Sequence, residues 1–212
     1  MCRRVVSSEL SAVIPAAGKS RRMGRPKQLL PMGESCVLGR CIELVLEAGV
    51  RNVVVAVPVS APDGLMQLLA GYPVTVVTAG RSSAEMMDSV LLALGKVDGH
   101  SSGVMILPGD IPLVRVDTVR EMIRRHSEMP ERILLPVFRG RRGHPPVFPV
   151  SEFHELGPGE NLRDMIRRNP ERVEEVVVDD RGILFDLDTV EDYQRMCTLW
   201  NRSGNDNDSS PV

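Results

Sequence analysis

Six short runs of apolar, largely β-branched residues recur along the chain with longer amphipathic stretches between them, and this alternation limits the fold more than any other feature. The runs are Ala12 to Ile14, Val53 to Val57, Val74 to Val77, Val104 to Leu107, Ile133 to Val137 and Val173 to Val178. They are apolar almost throughout rather than at alternate positions, which suits strands covered on both faces. Between them, Cys36 to Ala48, Ala84 to Leu94, Val116 to His126, Glu160 to Arg168 and Val190 to Leu199 have helical spacing, with Asp117 and Glu191 near helix starts. A β-α-β-α succession of this kind predicts a three-layer α/β/α, Rossmann-like arrangement around a mostly parallel sheet. With 212 residues the chain can bury one sizeable core, and we expect residues 1–200 to form a single domain. Residues 201–212, rich in Asn, Asp, Ser and Gly, carry too little apolar surface to fold and are expected to be disordered.

In such sheets ligands bind beyond the carboxyl ends of the strands, so the segments that leave strands carry the functional signal. The first strand runs into Pro15-Ala16-Ala17-Gly18-Lys19-Ser20-Arg21-Arg22-Met23-Gly24-Arg25-Pro26-Lys27. Small residues there leave backbone N–H groups from Ala16 to Ser20 open to phosphate oxygens, and the basic cluster contains no acidic residue. Two common phosphate loops fail on spacing. A Walker loop ending in Gly18-Lys19-Ser20 needs a glycine where Val13 stands, and Gly18 and Gly24 are too far apart for the dinucleotide fingerprint. The same residues also suit a plain strand exit with solvated charges.

A second strand ends in Leu107-Pro108-Gly109-Asp110-Ile111-Pro112, which presents Asp110 just past the sheet edge. A carboxylate there is a hard oxygen ligand suited to Mg²⁺, although Gly-Asp is also ordinary turn chemistry. Near the C-terminus, Asp186 and Asp188 stand two apart, on one face if the backbone is extended. They could complete the cation site, with Asp186 the stronger candidate; equally, Asp188 or Thr189 could cap the following helix.

Taken in order, Ala16-Ala17-Gly18, Arg22-Met23-Gly24, Pro26-Lys27-Gln28 and Pro108-Gly109-Asp110 resemble the signatures of nucleotidyltransferases with a nucleotide-diphospho-sugar transferase fold, the cytidylyltransferases especially. The resemblance implies that Ala16, Ala17, Gly18, Ser20, Arg22 and Lys27 surround a triphosphate, that Ser89 lies near the base, and that Asp110 binds the metal. Gly143-His144-Pro145 and Asp186-Leu187-Asp188-Thr189-Val190-Glu191-Asp192 resemble the molybdenum cofactor cytidylyltransferase branch, which implies an acceptor site near His144 and Arg163. His144 also suits a loop histidine satisfied by a carbonyl. The chain departs from that branch at Gly159-Glu160, where the family has Gly-Asp, and these residues also suit a plain helix start. Methylerythritol phosphate cytidylyltransferases share the first loop but not the later motifs.

The implied reaction moves CMP from CTP to a phosphorylated acceptor with release of pyrophosphate. Lys27, Arg22 and Asp110 are the expected catalytic groups, with Mg²⁺ as cofactor and possible delivery to a molybdoenzyme. Methylerythritol phosphate is the alternative acceptor, GTP the alternative donor, and a nucleotide-binding accessory protein the alternative of another class. Ala17, where the related guanylyltransferases have glycine, favours a pyrimidine. Net charge of −2 and 3% aromatic residues argue against nucleic-acid binding. Cys2, Cys36, Cys41 and Cys197 form no metal-binding spacing, and neither a signal peptide nor a membrane span is evident, so we expect a cytoplasmic protein with reduced thiols.

Overall fold

The computed structural model describes residues 9–17, 26–80, 86–157 and 159–206. Strand β1 (Glu9–Pro15) is followed by a small hairpin, β2 (Pro31–Met32) and β3 (Ser35–Cys36), which leads into α1 (Val37–Glu47). Next come β4 (Val53–Pro58), α2 (Asp63–Ala70), β5 (Thr75–Ala79), α3 (Met86–Leu94), β6 (Ser101–Ile106) and α4 (Val116–Glu128). The C-terminal part comprises β7 (Ile133–Phe138), β8 (Arg141–Arg142), β9 (Val147–Pro149), α5 (Val150–His154), α6 (Leu162–Arg168), β10 (Val173–Val177) and α7 (Val190–Asp206).

The main sheet has the order β10-β7-β9-β6-β1-β4-β5, with β8 appended to β7. Its ladders are parallel except those of β9 and β8. Alternate residues of each central strand serve opposite layers, as the strand period of two requires. Ala12, Ile14, Val53, Val55, Val57, Met105 and Leu107 face a layer that contains Leu38 and Ile42 of α1, Leu65 and Leu69 of α2, and Val119 and Met122 of α4. Val13, Val54, Ala56, Val104 and Ile106 face Met87, Val90 and Ala93 of α3 and Leu162 and Met165 of α6. The result is the expected three-layer α/β/α sheet, and the fully apolar strands are explained by burial on both faces.

The chain leaves β1 toward β4 and β5 on one side and later returns to place β6 on the other. The order therefore reverses between β1 and β6, the position at which open α/β sheets form a ligand crevice beyond the carboxyl ends of their strands. Helix α7 extends through Asp206, so the first six residues of the expected tail are helical; residues 207–212 lie outside the described residues. Among the described residues no helix is long and apolar enough to cross a membrane.

Candidate active site

The two signature loops meet at this reversal. Parallel pairing of β1 and β6 continues past the strand ends, with Leu107 N–H bonded to Val13 O at 3.0 Å and Gly109 N–H to Pro15 O at 3.1 Å. Gly109 suits so close an approach, since a Cβ there would lie 2.9 Å from Leu38 Cδ1 and 3.2 Å from the Ala16 methyl and would push on both. Asp110 follows directly and is thereby fixed beside the β1 exit.

Lys27 reaches the same point from the short 3-10 turn Lys27–Leu29. Its Nζ lies 2.5 Å from Asp110 Oδ2 and 3.2 Å from Asp188 Oδ1, and donates to Leu187 O at 2.7 Å. Burial disfavours the charged ammonium, yet Asp110 and Asp188 more than offset that cost and hold Lys27 above its ordinary value. Asp110 is partly buried, whereas Asp188 is half exposed. Asp188 is free for this role because Thr189 caps α7: its Oγ1 accepts from Asp192 N–H at 3.1 Å, and Asp192 Oδ2 accepts from Thr189 N–H at 2.9 Å.

Asp186 does not join Lys27. It is exposed and lies near His144, where it acts with Asp110 to favour imidazole protonation. Burial is the larger influence, Arg163 adds to it, and together they hold His144 below its ordinary value of 6.5. The ring keeps a hydrogen bond with the Ile106 backbone, while its Nδ1 is buried with no hydrogen-bond partner. Gly143 permits this placement. Its Cβ would lie 2.3 Å from Ile183 O, the carbonyl that accepts from His144 N–H at 2.9 Å. The His144–Pro145 peptide is cis. Arg163 is exposed in the first turn of α6, which Asn161 and Asp164 close with a capping box. Glu160 sits outside that helix and pairs with Arg168 at 2.8 Å, so the reading of 159–163 as an ordinary helix start describes the backbone well.

One expectation for the first loop changes. Ala16 N–H donates to Ala56 O at 2.7 Å, so it continues the sheet and is not directed to a phosphate; Ala16 O accepts from Gln28 Nε2 at 2.9 Å. Ala17 begins the loop proper, and Gly18, Ser20 and Arg22 lie outside the described residues. Ser89 is 1% exposed within α3, which packs on β1, β4 and β5. The backbone from Ala79 to Ser82, also expected near the base and ribose, leaves β5 at Ala79, and 81–85 lie outside the described residues.

Sequence reasoning quoted Gln28 and Leu187 within motifs without giving them a role, and overlooked Asp180. Asp180 is buried and accepts from Arg115 N–H at 2.8 Å, Thr118 Oγ1 at 2.7 Å and Gly182 N–H at 2.8 Å, which ties the start of α4 to the segment below His144. Its signal was Asp180-Arg181-Gly182, a turn-forming triplet after a strand.

The sequence profile of the MobA-like NTP transferase domain matches residues 12–173. The chain belongs to this family. Among relatives, a 2-C-methyl-D-erythritol 4-phosphate cytidylyltransferase from Frankia casuarinae is 34% identical over 171 residues, covering 79% of this chain and 58% of that enzyme. The chain thus spans little more than half the length of that curated relative. Rv0371c from Mycobacterium tuberculosis H37Rv superposes with a TM-score of 0.77 at 27% identity, covering 90% of this chain and 98% of that one. Its complex with manganese superposes with a TM-score of 0.74 at 26% identity, with the same coverage of both chains. The MobA-like domain match takes in both signature loops and His144, and ends before Asp186 and α7.

Proposed function

We propose that this chain is a divalent-metal-dependent nucleotidyltransferase that moves CMP from CTP to a phosphorylated small molecule. The observation that carries the reading is the Lys27 ammonium held between Asp110 and Asp188 beside the β1–β6 crevice. A bridging ammonium marks a point where two carboxylates stabilise positive charge, and their oxygens suit a hard divalent cation. Among the described residues no group of three or more His, Cys, Asp or Glu side chains converges for a metal. That suits a cation bound by one or two carboxylates with substrate phosphates and water completing the shell, as Mg²⁺ prefers. Asp110, with Asp188 or Asp186, would hold it, and it would supply charge neutralisation at the phosphates. The manganese complex of Rv0371c supports the metal class.

In the proposed reaction an acceptor phosphate oxygen attacks the α-phosphorus of CTP. The new O–P bond forms as the bond to the β-phosphate bridging oxygen breaks, and pyrophosphate departs with that electron pair. No protein nucleophile is needed; positioning and fixed charge supply the acceleration. Lys27 offers charge to the growing negative charge on the phosphates, in competition with its carboxylate partners, and Arg22 would add to it. Residues 1–200 are read as one transferase domain, supported by the single main sheet that links β1 to β10 among the described residues.

For the acceptor, the name of the Frankia relative favours methylerythritol phosphate over molybdopterin. One observation keeps molybdopterin as a second reading: the two motifs read from that branch meet, since His144 of the first lies near Asp186 at the start of the second. The test is pyrophosphate release from CTP with Mg²⁺ or Mn²⁺ and each acceptor in turn. Release with methylerythritol phosphate is expected, and chelation should abolish it. Release with molybdopterin alone would select the second reading, and nucleotide binding without release under any pairing would mark an accessory protein.

A further inference from the structure

Residues 27–36 are poorly held by their own secondary structure. The β2–β3 hairpin has two residues in each strand and does not pair with the main sheet, and an isolated pair of strands is marginal in water. Met32, and Leu30 just before the hairpin, pack instead in a cluster with Val37 of α1 and with Leu187 and Met196 from the C-terminal segment. That segment lies beyond the matched family domain.

Helix α7 touches the hairpin twice. Tyr193 Oη donates to Pro31 O at 2.6 Å. About two turns along the helix, the Trp200 indole lies against Gly33, whose Cβ would be 3.0 Å from Nε1, and the Arg40 guanidinium covers the ring at 4.3 Å. Leu187, just before α7, is bonded on both sides to the candidate site. Its N–H donates to Asp110 O at 3.1 Å, and its carbonyl accepts from Lys27 Nζ at 2.7 Å.

We propose that Tyr193 and Trp200 are positioning residues that, through the hairpin and Leu187, set the placement of Lys27 against Asp110. The proposal rests on the transferase reading. A displacement on the order of 1 Å in a positioned reacting group can cost about a hundredfold in rate, so packing along α7, away from the chemistry, is sufficient to matter.

The experiment compares Tyr193→Phe, Trp200→Ala and Trp200→Phe in the full chain. Trp200→Ala should lower kcat by about tenfold or more with KM for CTP little changed, Tyr193→Phe should act severalfold, and Trp200→Phe should recover most of the loss. In a Lys27→Ala background the Trp200→Ala effect should largely vanish, because the group being positioned is gone. A second readout needs no turnover: the ¹H–¹⁵N signal of the Lys27 ammonium should shift in both Tyr193→Phe and Trp200→Ala. An unmoved ammonium signal, or an equal loss of kcat with and without Lys27, would overturn the inference. Absence of pyrophosphate release from the wild type would instead strike the transferase reading, and the ammonium signal would still decide the role of α7.

Discussion

The two sides of the crevice respond to burial in opposite ways. Lys27 is buried yet held charged, because Asp110 and Asp188 both lie within ion-pair distance. His144 is pushed toward neutrality, because Asp110 and Asp186 do not overcome burial and Arg163 works against them. One side thus presents fixed charge that is already compensated, and the other a neutral ring with a buried, unpartnered Nδ1. A triphosphate with its cation can exchange with the first set of partners. An acceptor hydroxyl or amide that displaces the cover over the second could supply the bond Nδ1 lacks, an unsatisfied buried polar atom costing about 1–3 kcal/mol. We read the Lys27 side as the donor site and the His144 side as the acceptor site.

The sharpest way to break this division is Asp110→Asn, because Asp110 faces both sides. Turnover should fall by about 10²–10³-fold, comparable to the loss of one transition-state contact. Stability should fall by only about 1–3 kcal/mol, since Lys27 keeps Asp188 and the Leu187 carbonyl. Steady-state kinetics and chemical denaturation check the two figures, and near wild-type turnover at limiting Mg²⁺ would remove Asp110 from the metal site. His144→Ala should act on one side alone, raising KM for the acceptor by about tenfold and leaving KM for CTP within error. An equal rise in both would dissolve the distinction.

Smaller effects are expected at Ala17 and His126. Opening the loop with Ala17→Gly should narrow the CTP preference over GTP by about tenfold, a methyl-sized steric difference, measured as the ratio of kcat/KM values. His126 separates burial from function: it is fully buried in α4, with Nε2 2.9 Å from Ser102 Oγ, away from the crevice. Burial lowers it below its ordinary 6.5. Below that value the unfolded chain binds the extra proton and the folded chain resists it, so His126 should favour unfolding as pH falls from about 6.5 toward its folded value. Above that window its contribution is constant. Thermal unfolding between pH 7.5 and 5 should show a shallower acid decline for His126→Gln than for the wild type.

The same contrast between regions explains what was legible in the sequence. The central strands announced themselves because burial on both faces leaves unbroken apolar runs, as at Val53 to Val57. The three-residue β9 did not, because Pro145 and Pro146 precede it and Pro149 ends it, and α2 was missed because eight residues carry little periodic signal. Asp110 was legible from its strand-end setting. Its pairing with a lysine 83 positions earlier, as the numbering of the two residues shows, depends on the β1–β6 adjacency and was not. The sequence favoured Asp186 over Asp188, whereas it is Asp188 that meets Lys27 and Asp186 that lies near His144; spacing alone carries no trace of the Thr189 cap that separates them.

The most direct test of the central claim, that Lys27 serves developing charge and not mere nucleotide binding, is Lys27→Ala compared with the wild type at saturating CTP and acceptor. Interactions made only in the transition state lower kcat, whereas uniform binding changes KM alone. A fall in kcat of about a hundredfold with KM for CTP changed less than about threefold is the predicted result; an unchanged kcat with a raised KM would contradict it.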